Sequence, residues 1–224
     1  MAYESGKNVP QSYIQAAKWF RKAAEQGHEK AQFNLGVMAS LGRGMATNDT
    51  EAIHWWQKSA EQGNARAQNN LGFAFANGRG ATQNHAEAAK WLGRSADQGF
   101  AQAQFNYGGL FFEGKGVATN YVEAYKWFSL AALQRYPRAE QYVVEVGTKL
   151  SGAETATALR EARVWRAAHP NVLPLPSNSV ANQFGAPKTD AAWLPPALAP
   201  ANRNVTKLTN LHDLTPTSLV PPPQ

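Results

Sequence analysis

The stretch EAIHWWQKSAEQGNARAQNNLG, Glu51–Gly72, sets two tryptophans side by side in a segment otherwise rich in Ala, Gln and Asn. Taken alone, the pair would suit a surface that stacks on a base, a sugar or a proline-rich peptide. The stretch returns, however. AAKWFRKAAEQGHEKAQFNLG (Ala16–Gly36) precedes it and AAKWLGRSADQGFAQAQFNYG (Ala88–Gly108) follows it. Trp19, Trp55, Trp91 and Trp127 recur at intervals of 36 residues. A fixed period of roughly 20–50 residues marks a solenoid or array, in which each copy is one supersecondary unit.

Aligned at that period, the copies give columns. Ala16, Ala52, Ala88 and Ala124 form one; Phe20, Trp56, Leu92 and Phe128 a second; Ala24, Ala60, Ala96 and Ala132 a third. They are spaced i, i+4, i+8, one face of a helix, here called helix A. Gly27, Gly63 and Gly99 follow it and supply a left-handed stop. Ala31, Ala67, Ala103 and Ala139 begin a second helix, B. Its other columns are Leu35, Leu71, Tyr107 and Val143, then Met38, Ala74, Leu110 and Val146. LGRG, NGRG and EGKG close helix B. Asn48, Asn84 and Asn120, or Asp49 in the second copy, are placed to cap the next helix A. Helices this short are marginal alone in water, so each unit must bury its stripe against the next. The recurring Trp columns are therefore expected to pack, and the Asn34, Asn70 and Asn106 column to satisfy backbone at an inter-repeat turn.

The expected fold class is all-α: an α-α superhelix, a solenoid of antiparallel helix pairs, with a Pro-rich C-terminal tail. Residues 1–10 read as the remnant of a preceding repeat, because Tyr3–Val9 (YESGKNV) aligns with Phe111–Val117 (FFEGKGV); either upstream sequence is missing or the start is misassigned. Residues 11–150 hold about four units, the last degenerate, where Arg135 replaces the Gly99 column and Val144 the Gly108 column. Residues 151–169 read as a capping helix, and residues 170–224 as a disordered tail holding 11 of the 13 prolines. Within it, Trp193-Leu194-Pro195-Pro196 has the form of a linear motif for an aromatic-lined groove.

Other classes lack support. There is no cysteine, so disulfide scaffolds and Cys-based zinc sites are ruled out. No apolar run is long enough for a membrane span, and the first residues lack a signal-peptide h-region. These features favour a cytoplasmic protein, with export left open by the incomplete first unit. The net charge of +6 is spread among acidic neighbours. No nucleophile elbow, HExxH or Walker A motif occurs, and GRGMAT, GRGATQ and GKGVAT recur where a turn is needed. His28, His54, His85, His169 and His212 lack metal-ligand spacing. No cofactor, metal or catalytic residue is expected.

The pattern A-x-x-W-F/W/L-x-x-x-A-x-x-G-x-x-x-A-x-x-x-L-G, followed by a G-[RK]-G turn, resembles the Sel-1-like repeat of the tetratricopeptide superfamily. It runs from Ala16 through Gly116 and continues more weakly to about Leu150. The resemblance implies a right-handed superhelix and adaptor or scaffold work, binding proteins or peptides, often in bacteria. A branch associated with β-lactam binding carries disulfide-stapled repeats; this chain has none, and that activity is not carried over. In related solenoids helix A lines the concave face. By that analogy the variable stripe of helix A is the candidate partner-binding surface: Ile14, Lys18, Arg21, Ile53, His54, Gln57, Lys90, Tyr125 and Lys126. Neutral drift would leave the same variability. A basic helical-repeat nucleic-acid binder is the alternative, and a β-lactam-hydrolase-like repeat enzyme a more distant one.

Overall fold

A computed structural model describes residues 12–172. The remnant of a preceding repeat and nearly all of the Pro-rich tail, with its Trp193-Leu194-Pro195-Pro196 motif, lie outside the described residues. Within them the chain forms helices and no strands: α1 (Tyr13–Glu25), α2 (Glu29–Leu41), α3 (Asp49–Glu61), α4 (Ala65–Asn77), α5 (His85–Asp97), α6 (Ala101–Glu113), α7 (Tyr121–Leu133), α8 (Ala139–Gly147) and α9 (Gly152–Ala168). The odd-numbered members of α1–α7 are the A helices and the even-numbered members of α2–α8 the B helices.

Local chemistry starts and stops each element as the columns require. Ser12, Asn48, Asn84 and Asn120 each accept a hydrogen bond from the backbone N–H three residues on. Asn48, not Asp49, is thus the cap of α3. Asp49 pairs instead with Arg79 of the following turn, at 2.9 Å. The A-to-B turn needs one left-handed residue. Gly27, Gly63 and Gly99 supply it at φ +88°, +98° and +82°, and in the degenerate fourth unit Arg135 adopts +58°. A non-glycine residue there is strained by its Cβ, and α8, the helix that follows, is the shortest of the array at 9 residues.

The units interlock through helix B of one and helix A of the next. The seams α2–α3, α4–α5 and α6–α7 are more extensive than those within units. Gly36 lies in the first of them. A Cβ at that position would stand 2.5 Å from Trp56 Cδ1 and 3.0 Å from the Ala52 carbonyl oxygen. The absent methyl is what lets α2 and α3 approach. Trp55 buries against α1 beside Ala16, Ala17 and Phe20, and Trp91 against α3 and α4 beside Ile53 and Leu71. Trp127 does the same beside Ala88, Ala89 and Leu92.

A glutamine ladder runs through the seams, and the column reading did not single it out. Gln32, Gln68 and Gln104 are buried near the start of each helix B. Each donates from Nε2 to a carbonyl eight residues back, that of Ala24 (3.1 Å), Ala60 (3.0 Å) or Ala96 (3.3 Å). Each also accepts, at Oε1, from the turn glutamine of the next unit: Gln62 at 2.7 Å, Gln98 at 2.8 Å and Gln134 at 2.9 Å. One side chain therefore closes its own hairpin and fixes the register of the next. The asparagine column behaves otherwise than expected. Asn106 donates to Asn69 Oδ1 at 3.2 Å and Asn69 to Asn70 Oδ1 at 3.4 Å, a side-chain network rather than a backbone one.

Gln68→Leu keeps the volume but removes one of the two donors to the Ala60 carbonyl, leaving the Gly63 N–H, and one acceptor of the Gln98 amide. A loss of about 1–3 kcal/mol is expected, read as a lowered urea midpoint with unchanged helicity. An unaltered midpoint would show that the ladder contributes nothing to stability.

Candidate interaction surface

The A helices carry the candidate residues on one side, and the structure divides them into two groups. Ile14, Lys18, His54, Gln57 and Lys90 are exposed and Arg21 is half-buried. Ile53 and Tyr125 are buried, both in core clusters, which corrects their assignment to an open surface. They occupy the column of Ala17 and Ala89, also buried, which faces the neighbouring A-side element rather than solvent. Burial accordingly pushes the Tyr125 phenol above its ordinary value.

Within the exposed group, Arg21, Gln57 and Lys90 make short-range polar contacts. Arg21 donates to Glu51 across the first seam at 2.7 Å, and the same carboxylate oxygen accepts from the Trp55 indole at 3.3 Å. His54 meets Trp55 edge-on, with ring centroids 5.0 Å apart, and Gln57 donates to Glu61 at 3.1 Å. Lys90 pairs with Glu87 at 3.3 Å. Such pairs at a wet surface add little stability; they restrict where the side chains point. Beside them runs a row of cations over indoles. Lys22 lies 5.0 Å from the Trp19 ring, Lys58 5.1 Å from Trp55 and Arg94 4.8 Å from Trp91. Each such contact is worth roughly 0.5–1 kcal/mol where exposed. The signal was present in the sequence as a Trp followed three residues later by Lys or Arg in three units.

Trp19 departs from its column. It is 53% exposed, whereas Trp55 is 6% exposed. With Ile14, Lys18, Arg21 and Lys22 it borders an open depression on α1. Trp55, Trp91 and Trp127 each pack on the preceding helix A, and no helix A precedes Trp19 among the described residues.

The other end is closed. α9 lies on α7, with Ala158 and Ala162 fully buried and the Trp165 ring 6.0 Å from that of Trp127. Ser151 and Glu154 start it with a reciprocal capping box. Rather than extending the stack beyond α8, it covers the fourth helix A. The Lys126 side chain, between Glu123 (2.6 Å) and Glu161 of α9 (3.9 Å), is 13% exposed, against 50% for Lys90. Beyond α9, Val172 contacts Gly99, and His169 stacks on Trp165 at 4.1 Å. There, partial burial raises the Asp97 carboxyl, while the charges of His169 and Lys126 oppose the shift. Among the described residues no group of three His, Asp or Glu side chains is placed to hold a metal ion.

Ala158 lies in an apolar cluster with Tyr125, Val143 and Val146 and has Glu154 and Glu161 as its neighbours along the helix face. Ala158→Asp is expected to expel α9, since burying an unpaired charge costs several kcal/mol. Amide exchange should then accelerate in α7 and α9 while α1–α4 stay protected. Unchanged protection of α9 would contradict its placement on α7.

Comparison with known proteins agrees with this architecture. The model of the Sel1 repeat matches residues 1–28, 29–64, 65–100 and 101–136. A search among curated proteins found no match. Among solved structures, a Sel1 repeat protein from Oxalobacter formigenes superposes with a TM-score of 0.63 at 29% identity, covering 80% of this chain and 73% of that one. A protective antigen of uropathogenic Escherichia coli displaying an SLR fold gives 0.48 at 23% identity, over 93% of this chain and 48% of the antigen. Sel1 repeat proteins are helical solenoids that commonly act as protein-interaction scaffolds. Four consecutive matches over more than half of its length place the chain in the Sel1 repeat family.

Proposed function

We propose that the chain is a protein-interaction scaffold whose contact surface is the A-helix side of its first three units. The observation that carries this reading is the asymmetry of the lysine column: Lys18 and Lys90 are open, whereas α9 covers Lys126. A helix therefore already rests on one A helix of this array. It does so through small apolar residues and one carboxylate facing a lysine. A partner segment of similar character would find Ile14, Lys18 and Arg21 on α1, His54 and Gln57 on α3 and Lys90 on α5. Lys126 belongs to the surface only where α9 is displaced. Ile53 and Tyr125 act from beneath, by setting the spacing of the helices.

The burial of Trp55, Trp91 and Trp127 weighs against the nucleic-acid alternative, which relies on aromatic rings free to stack on bases. The scaffold reading assigns the chain no reaction of its own, in keeping with a repeat fold that is generally non-catalytic.

A photo-crosslinking side chain placed singly at His54, Lys90 and, on a B helix, Arg66 tests the reading in the cells that make the protein. Adducts to the same protein are expected from the first two positions and none from the third. Adducts from Arg66 alone would move the surface to the B side, and nucleic acid in the adducts would restore the alternative.

A further inference from the structure

The A side is occupied once within the chain, by α9 on α7, and the repeat carries that contact to an open place. Lys126, Trp127 and Leu130 of α7 correspond by column to Lys18, Trp19 and Lys22 of α1. On α7, Glu161 of α9 faces Lys126 at 3.9 Å, and the Trp165 ring lies 6.0 Å from that of Trp127. Leu130 and Ala162 are fully buried, in one apolar cluster with Trp127. α9 thus presents a carboxylate, a small residue next to it and, four positions after the carboxylate, an aromatic ring.

α1 repeats these columns with no cover among the described residues. Trp19 and Ile14 are more than half exposed. The charge of the surface differs, however. Where α7 has Ser129 and Leu130, α1 has Arg21 and Lys22. Three cations, Lys18, Arg21 and Lys22, border the depression on α1 against one carboxylate, that of Glu25. Arg21 is paired with Glu51. Lys18 and Lys22 are exposed and make no ion pair among the described residues. Lys22 lies over the Trp19 ring, and an ammonium so placed keeps N–H donors for an acceptor beyond it. Complementary charge across such a contact selects its partner.

We infer that α1 receives a helix of a partner protein that is acidic where α9 is apolar. It carries carboxylates at two successive positions, for Lys18 and Lys22, and an aromatic residue four positions after the first, for Trp19 and Ile14. This rests on the scaffold reading above and names the chemistry of the partner.

The test titrates the full chain with two synthetic peptides of the α9 sequence, residues 152–169, one unaltered and one carrying Ala162→Glu. Both are held helical by a covalent staple between the exposed positions 160 and 164, and binding is followed by NMR at the Trp19 indole. The Ala162→Glu peptide is expected to bind with a roughly millimolar Kd, about threefold tighter than the unaltered one. Lys22→Leu in the full chain, which gives α1 the residue of α7, should reverse that preference. Trp19→Ala should weaken both peptides by at least about threefold. No shift at Trp19, or shifts at Trp127 alone, where a peptide merely exchanges with α9, would overturn the site. Equal binding of the two peptides, or an unchanged preference in Lys22→Leu, would overturn the role of charge. Vesicles of phosphatidylcholine and phosphatidylserine that shift Trp19 where the peptides do not would assign the patch to a membrane surface instead. Crosslinks from His54 and Lys90 without peptide binding at Trp19 would sink this inference and spare the scaffold reading; peptide binding without those crosslinks would keep this site and confine the contact surface to α1.

Discussion

Burial of each A helix against the preceding unit is the constraint from which the rest follows. A pair of 13-residue helices cannot cover its own apolar stripes, and short helices gain little stability in isolation. Trp55, Trp91 and Trp127 each close a cluster begun by the unit before. The seam demands close approach, which Gly36 permits, and it buries polar backbone at the hairpin turns. The glutamine ladder satisfies that backbone while locking register between units. Because packing and hydrogen bonding serve the same seam, the side chains left to vary without penalty are confined to narrow strips of the A and B helices.

Those strips are unequal along the array. At the first unit the indole is open, with a lysine over it; at the fourth, a helix of the chain itself lies on the equivalent surface. α9 gains its place from Ala158 and Ala162, small enough to sit close on α7, and from the Trp127–Trp165 contact. Its ion pair to the lysine column, at 3.9 Å, contributes little by itself. Apolar fit with one guiding charge is thus the mode of contact that the A side is seen to accept.

Much of this was legible in the sequence. The 36-residue return of Trp, Ala and Gly fixed the hairpin unit, because those residues recur only where packing requires the same volume each time. Asn48, Asn84 and Asn120 announced the helix starts. The surface was less legible. Ile53 and Tyr125 vary and fall on the same helical stripe as His54 and Lys126, so variability alone could not separate a column facing a neighbouring element from one facing water. α9 was readable as an amphipathic helix, but no one-dimensional pattern says which helix receives it. The turn glutamines recur in all four units and the buried ones in three, but a repeated polar residue resembles a solvated one until its partners are known.

The division between side chains that build the array and those left to meet a partner is tested most directly by hydrogen exchange at the four repeat indoles, resolved by NMR. Burial in successive seams predicts slow exchange at Trp55, Trp91 and Trp127 and exchange at the rate of an open side chain at Trp19. Rapid exchange at all four alike would mean that the rings line a common trough, and the seams would have to be built from something else.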